Sequence, residues 1–301
     1  MNNLNFVPFC VSLKRNKILF LIGVNMKKVI GVGLIAITIG SSFGISGVSA
    51  NTKLNANTVK ELQNQLKERH LVNIDKDGMI KLETDLSTLN VNADLEKEYL
   101  ESMDFMNEQI EAGLISFDSN FNVEEQNKKE TEETVDKIYD YDKQHPNPEK
   151  PQQQFSALMK AKASSGTPYL DAKELVEENR RELKRTLKSS TAFNYQAGLN
   201  FTTSWWVAKV KPNGKWDYKV VSGFKPWNKK FSMLLYSGVE IRNSKWLGNY
   251  NYGYTGEILF SLKTLKAGGD AVSYALNFEP DSKAVKAVIS RAFKDARTYM
   301  P

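Results

Sequence analysis

Residues 157–301 contain neither histidine nor cysteine, which limits the side chains that can transfer a proton or act as a nucleophile. Both histidines, His70 and His145, and the only cysteine, Cys10, precede this part of the chain. A histidine base, a thiolate nucleophile and a metal held by histidine or cysteine are therefore excluded from it. Proton transfer there would fall to Asp, Glu, Lys or Tyr, with pKa values tuned by their neighbours. We expect no metal and no cofactor.

The segment WDYK at residues 216–219 combines a carboxylate with an ammonium group. We predict that it lies on a β-strand, where Asp217 and Lys219 share one face and Trp216 and Tyr218 share the other. The two charged groups can then form an ion pair that keeps the carboxylate ionised. A solvated salt bridge without a catalytic role explains the same residues.

The segment LGNYNYGYTGE at residues 247–257 is the densest in glycine, tyrosine and asparagine. Its glycines indicate either positive φ angles or a close approach of the backbone to another element. In a turn, the tyrosines could stack on a base or sugar while Asn249 or Asn251 binds its polar edge. An aromatic-lined turn leading into a helix over residues 257–265 is the alternative.

Three elements are predicted to position these segments. The runs 204–210 and 215–221 are rich in aromatic and β-branched residues and flank Asn213-Gly214, which predicts a β-hairpin. Thr167-Pro168 predicts the start of a helix that ends near residue 189. A last amphipathic helix is predicted over residues 281–299.

The part of the chain before them is predicted to be mostly helical. One helix is capped by Asn57 or Thr58, and another spans residues 93–112. Between them, Asp77-Gly78 predicts a second hairpin. A calcium loop is the alternative there, but the position that should supply a bidentate carboxylate is Thr84.

Charge divides the chain into two parts. Residues 51–157 contain 23 acidic and 12 basic residues, a net charge of −11, whereas residues 158–301 contain 12 acidic and 24 basic residues, a net charge of +12. A proline- and glutamine-rich stretch, residues 139–156, predicts a linker between an acidic helical region (residues 51–138) and a basic domain (residues 157–301). The helices and hairpins predicted above give the fold class α+β. The basic domain favours an anionic polymer as partner, and the acidic region either docks on it within the chain or is only a spacer.

The first fifty residues have the layout of a secretory signal peptide. Basic residues after Met26 precede an apolar run over residues 29–40, which is short for a membrane span of roughly 20 residues. We expect translation to start at Met26, cleavage after Ala50, and a secreted protein that can associate with the cell envelope. An uncleaved N-terminal anchor is the alternative.

Residues 205–292 resemble the type 44 domain of bacterial polymorphic toxins. The resemblance rests on WDYK, on GNYNYGYTG at residues 248–256, on LKAGGD at residues 265–270, and on Pro280-Asp281 before the last helix. Thr255 and Glu257 depart from the family pattern. The resemblance implies a C-terminal toxin domain with ribonuclease activity and a cognate immunity protein as partner.

Residues on the motif positions are the predicted site. Proton transfer or phosphate binding is expected of four of them: Asp217, Lys219, Asn249 and Tyr252. Substrate contacts are expected of six others: Trp216, Gly253, Tyr254, Gly256, Glu257 and Asp270.

Two other functions fit an exported basic domain without histidine. Hydrolysis of cell-wall glycan also needs only carboxylates. A non-enzymatic module that binds an anionic wall polymer or a membrane surface needs only the charge. RNA remains the leading substrate because of the resemblance.

Overall fold

A computed structural model describes residues 54–122, 128–145, 166–277 and 280–300 of the chain. The predicted export segment lies outside the described residues. The α+β class is confirmed, with a mostly helical first part and a hairpin and amphipathic helices in the second. No helix in the described ranges is long and apolar enough to cross a membrane.

The elements follow one another in this order along the described chain: α1 (Val59–Glu68), β1 (Val72–Ile74), β2 (Ile80–Leu82), a short 3-10 helix (Leu86–Leu89), α2 (Ala93–Glu111), α3 (Lys128–Gln144), β3 (Tyr169–Asp171), α4 (Ala172–Phe193), α5 (Tyr195–Val210), β4 (Lys230–Leu235), β5 (Gly238–Asn243), α6 (Ser244–Gly256), α7 (Leu262–Asn277) and α8 (Lys283–Tyr299).

The predictions for the first part are confirmed. The side chain of Thr58 accepts a hydrogen bond from the Glu61 amide and caps α1. β1 and β2 form the antiparallel hairpin around Asp77-Gly78. One oxygen of Asp75 accepts bonds from the Asp77 and Met79 amides, each at 2.9 Å. Since that carboxylate stabilises the turn, the hairpin explains the segment without calcium. Within the described ranges, no group of three or more acidic, histidine or cysteine side chains could hold a metal ion.

The acidic and basic parts share one apolar core. α1 and α2 pack on α4, and α3 packs on α5. Leu62, Tyr99 and Ile138 belong to the same buried cluster as Phe193 and Trp206. The rings of Tyr99 and Phe193, one from each part, are 5.9 Å apart. Burial of apolar surface therefore holds the two parts together in addition to charge.

A buried ion pair lies at the contact between α3 and α5. The Lys209 ammonium is 2.6 Å from each oxygen of Asp142 and lies over the Trp205 ring. Burial lowers the pKa of Lys209, and the charge of Asp142 opposes that shift. A more exposed pair, Lys211–Asp136, lies nearby at 2.8 Å. The predicted linker at 139–156 begins inside α3, because this helix continues to Gln144.

The predicted hairpin around Asn213-Gly214 is wrong in its position. The run 204–210 is the end of α5, and residues 211–221 form turns. Trp205, Trp206 and Val207 are all buried. Residues 204–209 are all buried, so this run lacks the helical periodicity and cannot be distinguished from a buried strand by its pattern. The Asn-Gly pair instead marks the turn after the helix, with Asn213 at a φ of 66°.

The hairpin of the second part is formed by β4 and β5. β3 pairs parallel to β4 and completes a three-stranded sheet in the order β3-β4-β5. Leu170, Phe231 and Met233 on its inner face are buried. Because residues 169–171 form β3, the helix predicted to start at Thr167-Pro168 begins at Ala172 instead, after the Asp171 cap.

The glycine-rich segment is helical, not a turn. Asn243 caps α6 by accepting a bond from the Trp246 amide at 2.9 Å. A Cβ at Gly253 would lie 2.6 Å from the Ile289 carbonyl oxygen of α8, and one at Gly256 would lie 2.6 Å from Leu265 of α7. The glycines therefore permit close approach, which is the second of the two predicted reasons. α6 packs tightly against both α7 and α8.

We predict that Gly253→Ala lowers the free energy of unfolding by about 1–3 kcal/mol, because the added Cβ pushes against the backbone of α8. Gly248→Ala on the same helix is the matched control. Its Cβ would meet nothing closer than 3.9 Å, and better helix propensity should make it neutral or stabilising by up to about 1 kcal/mol. Urea unfolding of both variants measures the difference, and equal stabilities would contradict the packing argument.

We predict that Asp142→Ala destabilises the chain by about 3 kcal/mol, because it leaves the buried Lys209 ammonium without its partner. Asp136→Ala removes a more exposed pair and should cost at most about 1 kcal/mol. Thermal unfolding monitored by circular dichroism compares them. A small effect of both changes would mean that α3 is held by apolar contacts alone.

Candidate functional site

One face of α6 presents polar side chains to the junction of α7 and α8. Lys245, Asn249 and Tyr252 recur at i, i+4 and i+7 and therefore share this face. The Tyr252 hydroxyl donates to the Leu265 carbonyl at 3.0 Å, and a Cβ at Gly268 would lie 2.8 Å from that hydroxyl. Asn249 is partly exposed and makes no side-chain hydrogen bond with the described residues.

Two aspartates meet at this junction. The Asp281 amide donates to one oxygen of Asp270 at 3.0 Å, and the Lys286 ammonium lies 2.9 Å from the other. The Asp281 carboxylate accepts a hydrogen bond from Ser273. A Cβ at Gly269 would lie 2.5 Å from that carboxylate, so a larger residue there would require the Asp281 side chain to shift. The predicted residue Asp270 thus fixes the position of Asp281.

The surroundings of Asp281 favour its protonated form. Partial burial raises the pKa of Asp281, and the charge of Asp270 raises it further, while Lys286 and Lys245 oppose the shift. A neighbouring carboxylate paired with a lysine and a carboxylic acid with a raised pKa form an asymmetric pair. Such a pair can give or take a proton at one oxygen while the other group stays in place.

Tyr252 acts as a hydrogen-bond donor at this site. Burial raises the pKa of Tyr252, and the charge of Asp281 adds to the shift, so the phenol stays protonated. Its ring packs at 5.1 Å from that of Trp206. The predicted role of Tyr252 as a base is therefore not supported. Its bond to Leu265 holds α6 against α7.

Asp217, Lys219 and Trp216 are part of the turn that follows α5. Asp217 is 6% exposed, and its two oxygens accept bonds from the Asn213 amide at 3.0 Å and the Lys219 amide at 3.4 Å. The predicted ion pair with Lys219 is present at 3.5 Å, on a turn and not on a strand. Trp216 is buried against Trp205. These contacts give the WDYK segment a structural role.

Tyr254 and Glu257 lie away from the polar face of α6. Tyr254 is on the opposite face, buried, with its hydroxyl 2.5 Å from that of Tyr236, and burial raises the pKa of Tyr254 to about 12. Glu257 pairs with the buried Arg180 at 2.8 Å. A cleft of about 430 Å³ opens beside this pair; its lining residues are Arg180, Lys184, Glu257, Ile258 and Arg297.

The structure therefore gathers only part of the predicted site. Tyr252 and Asp270 both lie close to Asp281, and Asn249 shares the α6 face of Tyr252, whereas Gly253 and Gly256 serve helix packing. Asp281, Ser273, Lys245 and Lys286 complete the cluster and were not predicted. The Pro280-Asp281 pair was the available signal for the most important of these, but it indicates only a helix start until its contact with Asp270 is known.

We predict that Asp281→Asn stabilises the protein at neutral pH. A carboxyl group whose pKa is higher in the folded state binds more protons folded than unfolded, so its contribution to stability falls as pH rises through that interval. The asparagine variant should lose this part of the pH dependence. Asp270→Asn, which weakens the Lys286 pair, should instead destabilise by about 1 kcal/mol. Unfolding curves between pH 3 and 8 test both signs, and a destabilised Asp281→Asn would contradict the pKa direction.

The chain matches no protein-family model, no curated protein and no solved structure in the comparisons made. The resemblance to the type 44 toxin domain stays a prediction.

Proposed function

We propose that the chain is a secreted, toxin-like bacterial protein whose basic half cleaves RNA without a metal ion, at the Asp270–Asp281 pair. The observation that carries the proposal is the placement of a carboxyl group with a raised pKa beside two lysines, Lys245 and Lys286, on the face that also holds Asn249. The motif resemblance supports RNA as the substrate. The leader-like sequence at residues 26–50 supports export.

In this proposal Asp281 removes the proton from a ribose 2′-hydroxyl. The 2′-oxygen forms a bond to phosphorus as the bond to the 5′-oxygen breaks, and water protonates the leaving oxygen. Lys245 and Lys286 stabilise the negative charge that develops on the phosphate. Asp270 positions Asp281 through its amide and holds Lys286 in place. Asn249 offers an amide to the substrate.

Glycan hydrolysis is the second candidate, and the same pair favours it. A glycosidase requires two carboxyl groups, one of which is protonated, and here one has a raised pKa while the other is paired with a lysine. Asp281 would then protonate the glycosidic oxygen, and Asp270 would act as base or nucleophile. The flanking lysines suit a phosphodiester better than a neutral sugar, which is why RNA is placed first.

We predict that Asp281→Asn lowers the rate of RNA cleavage by a factor of about 10² to 10⁴, the loss expected for one general base. Cleavage should continue in the presence of a chelator. It should also fall on the acid side of a pH profile, because protonated Asp281 cannot accept the 2′-proton. The measurement offers RNA, DNA and peptidoglycan in parallel to the purified full chain and its variants.

Asp217→Asn separates the structural assignment from the motif-based one. If Asp217 only stabilises its turn, the variant loses stability but keeps the pH profile of cleavage. A loss of cleavage by folded Asp217→Asn, with Asp281→Asn fully active, would overturn the proposed site. Release of glycan fragments without RNA cleavage would establish the second candidate. Binding of a polymer without any cleavage would leave the binding module.

A further inference from the structure

An exposed tryptophan lies at the edge of the proposed site. Trp227 is 55% exposed, whereas Trp205, Trp206 and Trp216 are all buried. It belongs to residues 225–230 (KPWNKK), here called the 225–230 loop, which ends at Lys230, the first residue of β4. Lys225 and Lys230 on this loop are exposed and form no ion pair within the described ranges.

The 225–230 loop is fixed to the start of α6. The Lys245 amide donates to the Trp227 carbonyl at 2.9 Å, and the Ser244 amide donates to the Lys229 carbonyl at 3.1 Å. Within the loop, the Lys229 amide bonds the Pro226 carbonyl at 2.8 Å. The buried Ser244 hydroxyl also donates to the Phe224 carbonyl. The backbone that carries Trp227 is therefore held in place before any ligand binds.

The same backbone contact joins Trp227 to the carboxylate pair. Lys245, which is bonded to Trp227 through its amide, is close enough to Asp281 for its charge to act on that carboxylate. Asn249 lies one helical turn further along the same face of α6. Hence one backbone hydrogen bond joins Trp227 to the lysine whose charge acts on the proposed catalytic group.

We propose that the 225–230 loop binds single-stranded RNA, with Trp227 stacking on a base and Lys225 and Lys230 contacting phosphates next to the scissile bond. An exposed aromatic ring on a hydrogen-bonded loop, between lysines that form no ion pair in the described ranges, matches the chemistry of single-strand recognition, in which rings stack on bases and lysines follow the backbone. This inference rests on the proposed function and adds to it the form of the substrate. A duplex would present no unstacked base to the ring.

The test measures binding separately from cleavage. A labelled single-stranded oligoribonucleotide with 2′-O-methyl groups, which cannot be cleaved through the 2′-oxygen, is titrated into the full chain by fluorescence anisotropy. Trp227→Ala should raise the Kd about 5- to 100-fold, the effect of losing one stacked base. Trp227→Phe should retain most of the affinity. Tyr195→Ala is the matched control, because Tyr195 is 59% exposed on α5 and lies beside Lys60.

The lysines are tested through salt dependence. Lys225→Ala with Lys230→Ala should reduce the slope of log Kd against log salt by about 1.4, since each phosphate contact on a single strand contributes about 0.7. An unchanged Kd for folded Trp227→Ala would overturn the inference even if Asp281→Asn abolishes cleavage. Trp227-dependent binding by a chain that cleaves no RNA would keep the inference and overturn the proposed function. Trp227-dependent binding to anionic vesicles or to peptidoglycan, but not to the oligonucleotide, would overturn it in favour of those surfaces.

Discussion

The close approach of α8 to α6 at Gly253 is the constraint on which the candidate site depends. Because the two backbones are in contact there, the position of α8 along α6 is fixed by sterics and not by flexible side chains. Asp281 and Lys286 lie at the start of α8, so their distances to Lys245 and Asn249 are set by the same crossing. On the side of α7, the Asp281 carboxylate lies close to the backbone of Gly269. Small residues thus let the three helices approach closely, and this packing holds the site residues in place more rigidly than hydrogen bonds alone would.

The docking of the acidic half on the basic half has a different physical origin. Its apolar contacts, such as Tyr99 with Phe193, do not depend strongly on direction. The ion pair between buried Lys209 and Asp142 does, because its atoms must meet at hydrogen-bond distance. A buried ion pair adds little net stability, but an alternative packing would leave its charges unpaired. The pair therefore selects one register of α3 on α5. The opposite net charges of the two halves favour their association, and the Lys209–Asp142 pair fixes how α3 lies on α5.

Much of the fold could be predicted from local signals, and the site could be predicted only in part. The caps at Thr58 and the turn at Asp77-Gly78 act through bonds to neighbouring residues, which a sequence shows directly. The end of α5 could not be identified by periodicity, because residues 204–209 are all buried. Close approach was one of the two explanations predicted for the glycines of α6, but a turn was predicted in place of the helix, since the neighbouring element, α8, is distant in sequence. Asp281 acquires its chemistry from long-range contacts that no spacing rule contains.

The distribution of ion pairs bears on whether the acidic half covers the candidate site. In the described ranges, three ion pairs join the two halves, and their basic partners are Lys188, Lys209 and Lys211. Lys188 lies in α4, Lys209 lies in α5, and Lys211 directly follows α5. The unpaired lysines of the 225–230 loop and Lys245 belong to a different part of the basic half. The acidic half therefore pairs with Lys188, Lys209 and Lys211, and none of its ion pairs in the described ranges reaches the 225–230 loop or Lys245. The net charge of −11 therefore does not by itself make the acidic half an inhibitor: its described ion pairs stabilise the fold and do not involve the lysines at the edge of the candidate site.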